Sequence, residues 1–127
     1  MKELTKAEEQ IMQILWKMKK GFVKEIVEHF ADPKPAYNTV STIVRILEEK
    51  EFVGHESFGR TYQYFPLVTK KEYTKKFMKG FMKNYFENSA KNMFSFLSNE
   101  DELSVEEIEE LKKEMDKIIE QKKKENN

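Results

Sequence analysis

Residues 35–51, PAYNTVSTIVRILEEKE, decide the fold of this chain. Apolar side chains fall there at i, i+3, i+4 and i+7, at Val40, Ile43, Val44 and Leu47. This spacing predicts an amphipathic helix whose apolar stripe faces a core. The opposite face carries short polar side chains and one arginine, at Asn38, Ser41, Thr42 and Arg45. Such side chains can contact base edges and phosphates in a DNA major groove, but an ordinary surface helix is the plain alternative.

Two shorter helical patterns precede this helix. Thr5 and Glu8 have the spacing of a capping box, which predicts a helix that ends near Lys19. Its predicted inner face consists of Ala7, Ile11, Ile14, Leu15 and Met18. Residues 20–22 break the helix, and a short extended segment is one interpretation of them. A second helix is predicted over residues 23–30, and two prolines stop it. Helix, short connection and helix form a helix-turn-helix, with the second helix as the reader.

The next segment has the pattern of a β-hairpin. Residues 52–56 and 61–66 alternate and are rich in aromatic and β-branched types, and Gly59 lies in the turn between them. Three helices followed by two strands predict a winged helix, with Phe58, Gly59 and Arg60 at the tip of the wing. Arg60 would there contact backbone phosphate or a minor groove; a surface arginine on a turn is the alternative.

The composition changes after Val68, so we predict a winged-helix DNA-binding domain over residues 1–68 and a helical dimerisation domain over residues 69–127. Three helices are predicted there. The second covers residues 88–97, and the last starts at a capping box of Ser104 and Glu107 and frays over residues 121–127. They are too short to form a good core alone, so a second copy is expected to cover them, with folding back onto the winged helix as the alternative. The expected dimer contacts are Tyr73, Phe77, Phe81, Tyr85, Met93, Phe94, Leu97, Ile108, Leu111, Met115 and Ile118.

Composition excludes several classes of function. Cysteine is absent, which rules out disulfides, thiolate metal sites and a cysteine nucleophile. His29 and His55 belong to no ligand-spaced set and no catalytic constellation is present, so we expect neither an enzyme nor a metal or small-molecule cofactor. No apolar run approaches the roughly 20 residues that span a bilayer, and a cytoplasmic location is expected. Lys plus Arg total 23 and Asp plus Glu also total 23, so the net charge is zero. Because DNA-binding domains are usually basic, a winged-helix protein-interaction module without DNA binding is the alternative function.

Taken together and in order, four segments resemble the penicillinase repressor family of bacterial transcription regulators. They are residues 4–16 (LTKAEEQIMQILW), 38–42 with 47–50 (NTVST and LEEK), 59–64 (GRTYQY) and 103–111 (LSVEEIEEL). The resemblance implies a homodimeric repressor that binds an inverted-repeat, TACA/TGTA-like operator in double-stranded DNA, often before antibiotic-resistance or stress genes. It also implies dimerisation through the C-terminal helices and, in the penicillinase branch, derepression by proteolysis that a membrane-bound sensor metallopeptidase triggers.

Two departures from the family pattern bear on the sites. The family commonly has Arg directly before Leu47, whereas this chain has Ile46 there and its arginine at Arg45. The Asn-Phe step that is cut in the penicillinase branch aligns with Ser95-Phe96. The copper-responsive branch carries C-terminal cysteines, which this chain lacks. The expected DNA-binding residues are Lys34 and Tyr37 at the helix entry, Asn38, Thr39, Ser41, Thr42 and Arg45 on the helix, and Arg60 on the wing.

Overall fold

The computed structural model describes residues 1–100 and 102–126. Its elements follow the predicted order of a winged helix and three further helices. In chain order they are α1 (Lys6–Met18), β1 (Gly21–Phe22), α2 (Val23–Glu28), α3 (Tyr37–Glu49), β2 (Val53–Phe58), β3 (Thr61–Pro66), α4 (Lys70–Phe86), α5 (Ala90–Asn99) and α6 (Val105–Glu125). The predicted fold class, mainly helical with a winged helix at the N-terminal end, is therefore confirmed.

The capping box predicted for α1 forms and is tied to the end of α3. The Thr5 hydroxyl accepts from the Glu8 backbone N–H at 3.2 Å, and Glu8 Oε1 accepts from the Thr5 backbone N–H at 2.7 Å. Lys50 Nζ, just beyond α3, lies 2.8 Å from Glu8 Oε1. Burial by itself raises the pKa of the Glu8 carboxyl, but the hydrogen bonds from Lys50 and Thr5 outweigh it and hold the pKa below its usual range.

The core is formed by apolar residues from α1, α2, α3 and the hairpin: Ile11, Met12, Leu15, Val23, Ile26, Val40, Val44, Leu47, Phe52, Val53 and Tyr64. The stripe predicted on α3 is confirmed, with Ile43 half-buried at its edge. The prediction for Ala7 is wrong, because α1 turns Glu8, Ile11, Met12 and Leu15 inward and leaves Ala7 exposed. Glu8 occupies that inner position because its charge is balanced by Lys50.

The sheet has one strand more than the predicted wing. β2 and β3 pair as an antiparallel hairpin, and β1 pairs with the other edge of β3, with Gly21 opposite Tyr64 and Phe22 opposite Gln63. Gly59 and Arg60 form a two-residue turn in which Gly59 has φ +64°. A positive φ at the first turn position alone is the pattern of a type II′ turn, which glycine adopts without strain.

Three predicted helix ends are wrong. α2 ends at Glu28 and not at Phe30. α5 begins at Ala90, since Glu87 and Asn88 have positive φ and Ser89 caps the helix by accepting from Asn92. α6 continues to Glu125, so residues 121–125 of the segment that was predicted to fray are helical, and Asn127 at its end lies outside the described residues. Lysines 122–124 lie in its last turn, where cations stabilise the negative end of a helix dipole.

The described structure divides into two compact units between Lys76 and Phe77, inside α4 and beyond the predicted boundary after Val68. The first turns of α4 belong to the winged-helix unit. The Tyr73 hydroxyl donates to Glu9 Oε2 at 3.0 Å, and its ring lies 5.6 Å from that of Trp16, whose Nε1 donates to the Val68 carbonyl at 2.8 Å. Burial, with the Glu9 hydrogen bond, raises the pKa of Tyr73 to about 12. Tyr73 thus has contacts within its own chain, and its predicted place in a dimer contact stays a prediction.

The second unit, from Phe77 onward, contains no buried residue among those described. Its aromatic rings contact one another along the helices, with Phe81 5.2 Å from Tyr85 and Phe86 5.8 Å from Phe96. Large apolar side chains stay exposed on α5 and α6, among them Phe96 at 53%, Met115 at 48% and Ile118 at 42%. This unit is therefore a set of helices whose apolar surface the single chain does not cover.

Candidate nucleic-acid interface

The outward face of α3 is polar and accessible. Asn38, Thr39, Thr42 and Arg45 are exposed, and Ser41 is half-buried. Two local hydrogen bonds order this face: Thr42 Oγ1 donates to the Asn38 carbonyl at 2.9 Å, and Arg45 Nε donates to the Ser41 carbonyl at 3.3 Å. Because the second bond uses only the Nε donor, the terminal amino groups of Arg45 are left to bind an acceptor from outside.

A surface groove of about 500 Å³ runs between α3, the start of α2 and the hairpin. Arg45 on α3 and Arg60 at the turn both line it, and they are the only arginines in the sequence. Tyr37, Ser41 and Tyr62 also line the groove. Guanidinium groups bind phosphate and guanine through paired N–H donors, so both strongest candidates for nucleic-acid contact face one channel.

The residues predicted to bind DNA do not all lie at this groove. Lys34 Nζ donates to the carbonyls of Glu28 and Phe30, at 3.0 and 2.9 Å, and thus satisfies the C-terminal end of α2. Asn38, Thr39 and Thr42 are exposed on α3 but do not line the groove. The structure therefore brings together Tyr37, Ser41, Arg45 and Arg60, and it gives Lys34 a capping role.

Seven groove residues are absent from the predicted set, among them the cation Lys24, the acid Glu25 and the aromatic Tyr62. Lys24 is exposed near the start of α2, and Tyr62 is 46% exposed on β3. A sequence signal for both existed: Lys24 is the first cation of the first helix in the helix-turn-helix, and Tyr62 follows Arg60 by two residues on an alternating strand. Neither signal was specific enough to separate them from ordinary surface residues.

A side-chain cluster connects α3 to the wing beside the groove. His55 Nδ1 on β2 is hydrogen-bonded to Glu48 Oε2 on α3, and the imidazole stacks on the Tyr62 ring with centroids 4.3 Å apart. Tyr64 lies behind them, and its pKa is raised first by burial and then by the Glu48 carboxylate, against the opposing charge of Arg45. Glu48 and Arg45 are thus both close enough to act on the same phenol.

The predicted dimerisation and cleavage residues lie mostly in the second unit. Ser95 and Phe96 are exposed on α5, and Leu111, Met115 and Ile118 are exposed on α6. Within residues 1–100 and 102–126, no cluster of three or more His, Asp or Glu side chains could hold a metal ion. None of the helices in the described part of the chain is both long and apolar enough to span a bilayer.

A helix-turn-helix whose second helix shares one groove with a β wing defines the winged-helix class, whose members include many DNA-binding proteins. The family model described as penicillinase repressor matches residues 4–117. The chain therefore belongs to the penicillinase repressor family, as its sequence motifs indicated.

Two sequence relatives and one solved structure are similar to the chain. The chain is 26% identical to the methicillin resistance regulatory protein MecI of Staphylococcus aureus strain N315 over 111 residues, which cover 87% of this chain and 90% of that protein. It is 25% identical to the penicillinase repressor of Bacillus licheniformis over 111 residues, which cover 86% of each chain. A solution structure of the DNA-binding domain of the repressor BlaI superposes with a TM-score of 0.49 at 23% identity, over 57% of this chain and 94% of that one.

Proposed function

We propose that this protein is a homodimeric transcriptional repressor that binds an inverted-repeat operator in double-stranded DNA. The observation that carries the proposal is the groove that Arg45 of α3 and Arg60 of the wing share in a winged helix. Membership in a repressor family supports it, and the names of relatives suggest genes of antibiotic resistance as targets. Since the net charge is zero, affinity for DNA comes from this local pair of cations and not from bulk charge.

The two arginines have different roles in this proposal: Arg45 reads bases and Arg60 binds the backbone. Arg45 lies on the helix that enters the major groove, where a guanidinium can bind guanine O6 and N7 together. Arg60 lies at the tip of the wing and contacts backbone phosphate, which carries no sequence information by itself. Tyr37 and Ser41, beside Arg45 in the groove, supply hydroxyl donors to the backbone at the entry of α3.

The exposed apolar surface of the second unit supports the homodimer. Leu111, Met115 and Ile118 recur at a spacing of four and three residues on α6 and are between 39% and 48% exposed in the single chain. A second copy would cover this stripe through a two-fold contact. Such a dimer presents two α3 helices to successive major-groove faces, about one DNA turn apart, which an inverted repeat matches.

A gel shift of the full chain against DNA from upstream of its own gene tests the proposal. Random DNA of equal length competes, and the binding is repeated at a higher salt concentration. We expect a discrete complex that resists the competitor and weakens with salt. No shift even at low salt would contradict the proposal and favour the winged-helix protein-interaction module.

Two substitutions in the same assay test the division of work. Arg45→Ala should cost about 1–3 kcal/mol on the specific duplex and much less on random DNA. Arg60→Ala should weaken both duplexes to a similar extent and reduce the salt dependence. Lys113→Ala on α6 is the control for loss of one positive charge, and it should leave both affinities unchanged. An equal loss on both duplexes for Arg45→Ala would contradict base reading.

The proposal also includes a way in which the repressor is released from its operator. Cleavage at Ser95-Phe96, triggered by a membrane-bound sensor metallopeptidase, would separate α6 from the winged helix, and exposure of both side chains supports access. Mass spectrometry of the protein from cells treated with a β-lactam should find a fragment that ends at Ser95. An intact chain under conditions that derepress the gene would contradict this mode of release.

A further inference from the structure

We propose that His55 is a positioning residue that holds the Glu48 carboxylate away from Arg45 and thereby keeps the arginine available for DNA. The inference rests on the proposed function, because it concerns how the DNA-reading face of α3 is kept competent. No DNA contact is assigned to His55 itself. Its partner in this role is Glu48, an acid on the reading helix that was not among the predicted site residues.

Glu48 is an unfavourable neighbour for a DNA-reading arginine. It lies three residues after Arg45 on α3, and side chains at this spacing are neighbours on a helix surface. An acid and an arginine so placed are expected to pair. Within the described residues, however, Arg45 forms no ion pair, and its Nε donates to the Ser41 carbonyl at 3.3 Å.

The structure gives Glu48 a different partner. Its Oε2 is hydrogen-bonded to Nδ1 of His55, a residue of β2. A carboxylate can only accept, so the imidazole nitrogen is the donor. The charges of Glu48 and Arg45 act in opposite senses on the pKa of Tyr64, which burial raises first.

His55 is held firmly enough to perform this task. Its ring stacks on Tyr62 with a centroid separation of 4.3 Å and an interplanar angle of 26°, and it lies 5.8 Å from the ring of buried Tyr64. β2 is paired with β3 along its length, with His55 directly opposite Tyr64. A donor fixed by stacking and by strand pairing orients the carboxylate better than a flexible lysine would.

Removal of the donor should therefore act through the charge of Glu48. Without His55, the carboxylate is free to pair with Arg45, which neutralises the reading guanidinium before DNA arrives. The proposal thus predicts a specific rescue: the loss caused by removing His55 disappears when Glu48 is made neutral.

The experiment measures affinity for a duplex that the full-length wild-type chain selects from a random-sequence library. His55→Phe retains a flat ring for the stack on Tyr62 but has no donor, and it should bind roughly fivefold to tenfold more weakly. Glu48→Gln alone and the double variant His55→Phe/Glu48→Gln should bind within about twofold of wild type. His29→Ala is the matched control, since the His29 ring is bonded to the Glu25 backbone carbonyl and does not line the groove, and it should bind as wild type does.

Each contrary outcome has one meaning. A double variant that binds as weakly as His55→Phe would overturn the proposal, because the loss would then come from the shape of the wing. Wild-type affinity in His55→Phe would overturn it equally. Thermal unfolding followed by circular dichroism verifies that each variant is folded, and His55→Gln, which keeps an N–H donor, should recover part of the affinity. If the wild type selects no duplex, the proposed function fails, and this inference with it.

Discussion

The two units of this chain are both rich in apolar side chains, but only one of them has a core. Phe52 in the winged helix is 1% exposed, whereas Phe96 on α5 is 53% exposed. In the first unit, strands distant in sequence close around α1 to α3, and the apolar faces of several elements meet. In the second unit, the aromatic rings contact rings of the same helix or of the next helix in the chain. Apolar content alone therefore does not form a core. Contacts between segments that are distant in the sequence are also needed.

The largest test of this comparison is Phe52→Ala against Phe96→Ala. Truncation of the fully buried ring should lower the free energy of unfolding by about 3–5 kcal/mol, from lost burial and from the cavity left behind. Urea denaturation at two protein concentrations measures it. The Phe52 effect should not depend on concentration, because the core lies within one chain. An equally large, concentration-independent loss for Phe96→Ala would show that the second unit has an internal core after all.

The next test concerns what covers the second unit. In the proposed dimer, Ile118→Glu places a charge in the centre of the α6 stripe and should weaken association by about 2–4 kcal/mol. Light scattering coupled to gel filtration should then report a monomer at concentrations at which the wild type is a dimer. Gln121→Glu adds the same charge off the stripe and is the control. If Ile118→Glu still forms a dimer as the wild type does, α6 does not contribute to the dimer contact.

The ion pair between Glu8 and Lys50 gives the winged helix a dependence on pH. Because the pKa of Glu8 in the folded protein lies below its ordinary value of 4.5, the group adds stability that is present above that value. The contribution is lost as the pH falls through the folded pKa. Glu8→Gln should lower the unfolding free energy by about 1.5–3 kcal/mol at neutral pH, since a hydrogen bond to a charged group is removed.

Denaturation across the acid range measures this effect. The stability of the wild type should fall more steeply below pH 4.5 than that of Glu8→Gln, and the two curves should approach each other. Glu49→Gln, at an exposed carboxyl on α3, is the control and should follow the wild type. Parallel curves for Glu8→Gln and the wild type would show that the pair contributes nothing that depends on protonation.

The sequence predicted the features that depend on residues close together in the chain, but not those that depend on contacts between distant residues. The stripe of α3 and the wing turn were predictable because they depend on helical period and on one glycine. The capping box of α1 was predictable, but the burial of Glu8 in place of Ala7 was not, because it depends on Lys50, 42 residues away in the sequence. The pairing of β1 with β3 was likewise beyond local pattern.

The residues of the candidate site could also be predicted singly, but the contacts between them could not. Arg45 and Arg60 could be proposed separately from residue type and position, but their shared groove required the hairpin to be placed against α3. Lys34 was predicted to contact phosphate because it is a cation near a helix start; the capping bonds of its Nζ to the end of α2 could not be predicted, and its phosphate contact stays a prediction. Glu48 and His55 gave no signal, since an acid and a histidine seven residues apart predict no contact unless a turn brings them together.

The smallest test compares one glycine from each unit. A Cβ added at Gly59 or at Gly80 would meet no heavy atom within 4 Å, so packing within the chain does not separate the two positions. Backbone conformation does: Gly59 has φ +64° at the wing turn, and Gly80 lies inside α4. Gly59→Ala should therefore lower stability by about 1 kcal/mol, and Gly80→Ala should raise it by about 0.5–1 kcal/mol.

Thermal unfolding followed by far-ultraviolet circular dichroism measures both changes under the same conditions. Opposite signs would show that both positions respond only to the local backbone, as the open space around each implies. A loss of stability in Gly80→Ala would instead mean that another surface lies against α4 in the assembled protein. In the proposed dimer, that surface would belong to the second copy, and the contact would then extend from α6 to α4.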